Sequence, residues 1–79
     1  MAEAHEHAIE LVEFLAKAIV TEPDSVRVTQ KGDRGDLELE TDSSDRGRVI
    51  GRQGRVVKAL RAVLAASPGG AEYRLEIVD

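Results

Sequence analysis

The chain has no cysteine and no tryptophan, and only one phenylalanine, one tyrosine and one methionine among its 79 residues. Without cysteine there is neither a disulfide staple nor a thiolate metal site, which fits a reducing compartment. Two aromatic rings, Phe14 and Tyr73, both at core-like positions, cannot build the stacking platform on which sheet-based RNA readers lay successive bases. No apolar run approaches the ~18 residues that a membrane span needs. The opening MAEAHEHAIE is acidic where a secretory signal would be basic. These absences point to a soluble cytoplasmic protein. Its length allows one domain, residues 1–79, with residues 1–7 expected as a frayed extension. A core this small supplies only ~3–5 kcal/mol of net stability, so a partner would help it.

What is present is charge, unevenly placed. Residues 42–61 hold six cations (Arg46, Arg48, Arg52, Arg55, Lys58 and Arg61) against Asp42 and Asp45, a local balance of +4. The rest of the chain holds five cations and thirteen acids, a balance of -8. A split of this kind suggests one face built for an anion and others that repel it.

Periodicity supplies the frame. Ala8, Leu11, Val12, Leu15, Ala18 and Ile19 follow helical spacing and predict a helix from about Ala4 to Val20, ended by Pro23. Val26 and Val28, then Leu37 and Leu39, alternate with polar residues around KGDRGD, which reads as a β-hairpin with one buried face. Asp42 with Asp45 resembles a capping arrangement for a short helix from about Ser43 to Ile50, with Gly51 as its left-handed stop. A further helix starts near Gly54 or Arg55, with Val56, Val57, Leu60, Val63 and Leu64 as its stripe, and EYRLEIV forms a last strand. The order α-β-β-α-α-β predicts an α+β fold, three helices packed on one face of a three-stranded sheet.

The cationic segment GRVIGRQGRVVKALR, residues 47–61, therefore spans a helix, a Gly-Arg-Gln-Gly loop and a second helix. Glycine at both loop ends permits positive φ and close approach of another chain. Amides at the start of the second helix lack intrahelical acceptors and favour an anion. Arg52, Arg55 and Lys58 add mobile positive charge, a combination suited to a phosphodiester backbone.

VIGRQGRVVKAL resembles the signature of KH domains, an apolar pair, Gly-x-x-Gly, then apolar residues at helical spacing. KH loops clamp about four nucleotides of a single strand. The element order is that of the type II KH topology. From about Ile9 onward, with LVEFLAKAIV opening and EIVD closing, the chain is similar to the small bacterial KhpA family. The resemblance implies that Gly51, Arg52, Gln53 and Gly54 form the clamp. It also implies that Val49, Ile50 and Val57 border the base groove over a floor that includes Leu39, and that Arg55 and Lys58 meet phosphates. Apolar spacing alone would equally make Val49, Ile50 and Val57 core residues. Arg52 stands where lysine is frequent in the family, exchanging a point charge for a planar fork.

The function expected is non-catalytic binding of single-stranded RNA, as a chaperone or post-transcriptional regulator; family association with cell-envelope growth comes from the resemblance alone. The rival is a KH-fold interaction module, working as a homodimer or with a larger KhpB/Jag-like RNA-binding protein. No cofactor or metal is expected. His5 and His7, two apart, do not share a helix face. Glu38 and Glu40 read as the solvated side of the hairpin, and Ser25, Ser43, Ser44 and Ser67 as cap and turn residues.

Overall fold

The structure, a computed structural model, describes residues 2–32 and 34–78. Its regular elements are α1 (Ala2–Ile19), β1 (Arg27–Lys31), β2 (Asp36–Glu40), α2 (Arg46–Ile50), α3 (Arg55–Ala66) and β3 (Arg74–Val78). This is the α+β order expected of a type II KH domain. Residues 2–7, expected as a frayed extension, continue α1, while Met1 and Asp79 lie outside the described residues. Four 3-10 turns, at Pro23–Ser25, Ser43–Asp45, Arg52–Gly54 and Gly70–Glu72, sit between these elements.

The sheet has the order β1-β2-β3, with β1 antiparallel to β2 and β3 parallel to β2. A parallel neighbour needs a crossover, and residues 41–73 provide it, carrying both α2 and α3. In register, Val28 faces Leu39 and Leu37 faces Leu75, so one sheet surface is apolar. The other surface carries charge, with Arg27 opposite Glu40 and Lys31 opposite Asp36. Lys31 Nζ also reaches Glu38 Oε2 at 3.6 Å, placing Glu38 on the solvated side as expected.

The apolar sheet surface is covered by Ala8, Val12 and Ala16 of α1, Val49 of α2, and Leu60 and Leu64 of α3, all buried. The line Ala8–Val12–Ala16 is an i, i+4 ridge, and its two alanines let α1 lie close to its neighbours. The stripe expected for α1 is thus turned: Leu11 and Leu15 are half-buried, and Ala18 and Ile19 are exposed. Phe14, expected in the core, is 72% exposed. It lies two residues from Val12, about 200° around the helix, and so on the opposite side. Val63 is likewise exposed, one residue or about 100° round from buried Leu64. Tyr73 and Ile77 do pack against the core.

Candidate nucleic-acid interface

Helix α2 has only five residues, too few to persist by propensity, so its neighbours must hold it. Asp42 caps the preceding turn, accepting from the Ser44 amide at 3.0 Å and from the Ser44 hydroxyl. Those two bonds, hydroxyl first, keep the Asp42 carboxyl below its ordinary value. Asp45, expected as part of the cap, does something else. It has no accessible surface, and its Oδ1 accepts from the Thr21 amide at 3.0 Å and the Thr21 hydroxyl at 2.9 Å. Its Oδ2 accepts from the Glu22 amide at 3.0 Å. These amides follow the end of α1 and have no helical acceptor, so one carboxylate ties the exit of α1 to the entrance of α2. Arg48 Nε lies 3.4 Å from the same Oδ1. The Thr21 amide above all, then the Thr21 hydroxyl, the Glu22 amide and Arg48, hold the Asp45 carboxyl below its ordinary value against the opposing effect of burial.

The loop after α2 has positive φ at three of its four residues: Gly51 (φ 78°), Gln53 (φ 58°) and Gly54 (φ 73°). Gly51 is not left-handed helical as expected, because its ψ is 168°, a region essentially reserved for glycine. Its neighbours demand glycine too, since a Cβ there would clash with Val56 Cγ2 and lie 2.7 Å from the Val56 amide nitrogen. Gly54 has no such crowding, with nothing nearer than 3.9 Å. Gln53, at ψ 25°, is the only non-glycine residue with positive φ among the described residues.

Hydrogen bonds within the turn change the anion argument. The Gly51 amide donates to the Gly47 carbonyl at 2.8 Å, and the Gly54 amide to the Gly51 carbonyl at 3.1 Å. The Arg55 amide donates to the Arg52 carbonyl. Of the amides at the start of α3, that of Arg55 is therefore used inside the turn, and exposed side chains carry the site's positive charge. Arg52, Gln53, Arg55 and Lys58 are all exposed there. Ile50 and Gly54 are half-buried at the loop base. Val49 is fully buried, Val57 nearly so, and Leu39 fully buried, so these three support the site from the core.

Spacing of three and four places Arg55, Lys58, Arg61 and Ala65 along one ridge of α3. From Arg55 to Arg61 the ridge rises ~9 Å away from the loop. It ends at a groove of about 370 Å³ lined by Arg61, Ala65, Tyr73, Arg74, Leu75 and Glu76. Arg61 Nε donates to the Leu75 carbonyl at 2.9 Å, joining α3 to β3. Sequence reasoning read Arg61 only as one more exposed cation and Asp45 only as a cap. The i, i+3 ridge signalled the first, whereas nothing local to Asp45 pointed to Thr21, twenty-four residues earlier. Among the described residues no group of three or more His, Cys, Asp or Glu side chains could hold a metal ion. Among the described residues no helix is long and apolar enough to cross a membrane.

A short helix, a glycine-bracketed basic loop and a second helix, backed by a three-stranded mixed sheet, define a KH-type module. Comparison with known proteins agrees: the family described as KhpA/KhpB, KH domain, matches residues 9–77. The chain is 47% identical over 73 residues to a protein of Halalkalibacterium halodurans named RNA-binding protein KhpA, covering 87% of this chain and 96% of that one. A Treponema pallidum protein of the same name is 42% identical over 74 residues, covering 89% and 92%. A third, from Leifsonia xyli, is 46% identical over 67 residues, covering 82% and 88%. No solved structure matches the chain. The chain belongs to the KhpA/KhpB family of KH domains.

Proposed function

We propose that this chain is a non-catalytic module that holds a single-stranded RNA segment of about four nucleotides. Arg52, Arg55 and Lys58 meet the phosphates, with Gly51 and Gly54 shaping the backbone turn between them. Bases lie toward the groove between α3 and β3, with Ile50 at the loop base and Val49 and Val57 beneath as support. Such a grip suits a cytoplasmic RNA chaperone or post-transcriptional regulator. The observation that carries the reading is the run of three exposed cations on a loop and ridge that lead into one groove. The names of the relatives, RNA-binding proteins, support it.

The test is the double substitution Arg52→Asp with Gln53→Asp. Aspartate tolerates the left-handed geometry of position 53, so the fold is expected to survive. Fluorescence anisotropy with a labelled single-stranded RNA should show binding lost, while the circular-dichroism melt stays within a few degrees. Binding retained by this variant overturns the assignment of the loop.

A second reading, an interaction module acting as a homodimer or with a KhpB/Jag-like partner, is favoured by Phe14 and Val63. Both are large apolar side chains left exposed on a very small domain. Light scattering after size exclusion discriminates: a strict monomer that binds RNA unaided counts against it.

A further inference from the structure

Strand β3 is at an edge of the sheet, so its outward peptide groups have no neighbouring strand. The Leu75 carbonyl is one of these, and it takes its hydrogen bond from Arg61 Nε instead. A guanidinium carries five N–H donors. The other four on Arg61 have no further hydrogen-bond or ion-pair partner among the described residues. Arg61 is exposed like Arg52 and Arg55, but its anchored Nε holds the planar fork at the groove wall. The groove itself, about 370 Å³, has Ala65 and Tyr73 as apolar walls, with Leu75 buried beneath it, and Arg74 and Glu76 as polar ones. That is the make-up of a site for a flat ring with polar edges.

We propose, on the RNA-binding reading above, that Arg61 is a specificity-determining residue, selecting in this groove a base that presents two adjacent acceptors. Guanine does so with O6 and N7, and cytosine with O2 and N3, and a guanidinium fork can meet either pair with two parallel hydrogen bonds. Adenine sets its one amino donor beside both N7 and N1, and uracil flanks each carbonyl with its ring N3–H. Both would place a donor against the fork. Cytosine also carries an amino group beside N3, on the same edge, for which Glu76 is an acceptor within the same groove.

Labelled octamers of mixed adenine and uracil, with one central position varied through all four bases, test this in an anisotropy titration. The strand is free to slide until the varied base enters the groove. Guanine, cytosine or both should tighten binding by about 5- to 100-fold over adenine and uracil, the range that a bidentate base contact supplies. Arg61→Lys keeps the charge and loses the fork. It should bring all four octamers to the adenine and uracil level while changing those two by less than about 2-fold. Substituting 7-deazaguanine or 3-deazacytidine in the favoured octamer, with the unaltered protein, should abolish the preference without any question of folding. The inference is overturned if the four octamers bind alike, if Arg61→Lys keeps their ratio or weakens all four equally, or if the deaza bases bind as well as their parents. If no octamer of any composition binds the unaltered protein, the RNA-binding reading itself fails.

Discussion

Asp45 and Thr21 are joined twice, through the Thr21 amide at 3.0 Å and its hydroxyl at 2.9 Å, at a carboxylate with no accessible surface. Since Asp45 stands directly before α2, the exit of α1 determines where the loop-bearing helix begins. Asp45→Ala would leave the part-buried Thr21 and Glu22 amides without their acceptor, and Arg48 without its partner. It should destabilise the domain, read as a clear fall in the urea midpoint. Asp45→Asn keeps one acceptor oxygen and should fall between.

Acid should act through the same carboxylate. Its folded value lies below the unfolded one of ~3.9, so folding favours the ionised form. The stabilisation is complete above that unfolded value and is lost as pH falls through the lower, folded value. Asp42 is shifted the same way and adds to the trend. Urea midpoints measured from pH 7 down to pH 2.5 should drop steeply in the acid range, and Asp45→Asn should flatten that drop.

The two loop glycines should separate cleanly. Gly54→Ala meets no neighbour closer than 3.9 Å and carries only the left-handed penalty of roughly 1–2 kcal/mol. Gly51→Ala carries positive φ with extended ψ and a clash with Val56 Cγ2, and should cost more than ~2 kcal/mol. Thermal melts of the two variants give the order.

Gln53 holds left-handed geometry without glycine's freedom. Gln53→Gly relieves roughly 1–2 kcal/mol of that strain, offset in part by ~0.5–1 kcal/mol of unfolded-chain entropy. A net gain of about 0.5–1 kcal/mol in a urea titration is expected.

Salt should weaken RNA binding in proportion to the phosphates met. Three contacts, from Arg52, Arg55 and Lys58, give a log–log slope of about -2, at ~0.7 per contact for a single strand. Arg55→Ala should make the slope shallower by ~0.7. An unchanged slope would remove Arg55 from the phosphate set.

Legibility in the sequence followed the range of the interaction. Period-two runs placed Val28, Leu37, Leu39 and Leu75 on the buried sheet face, because strand alternation is a property of the backbone itself. Gly51 and Gly54 marked the loop because positive φ excludes most other residues. The helical stripes were less exact. Phe14 and Val63 are apolar, and hydropathy alone cannot say which side of a helix wins the sheet when small residues such as Ala8 and Ala16 permit closer approach. The Gly54 and Arg55 amides looked free because short-range rules count helical partners and not the bonds of a 3-10 turn.

By itself, then, the sequence determined the element order, the one-sided sheet and the basic glycine loop, each of which follows from residues a few positions apart. Tertiary structure alone decided that Asp45 closes on Thr21 and Glu22, and that Arg61 fastens to the Leu75 carbonyl. Both contacts pair groups left unsatisfied by secondary structure, two amides past a helix end and a carbonyl on an open strand edge. Such groups must find partners wherever the folded chain brings a charged side chain within reach, and that proximity is written in the packing of whole elements.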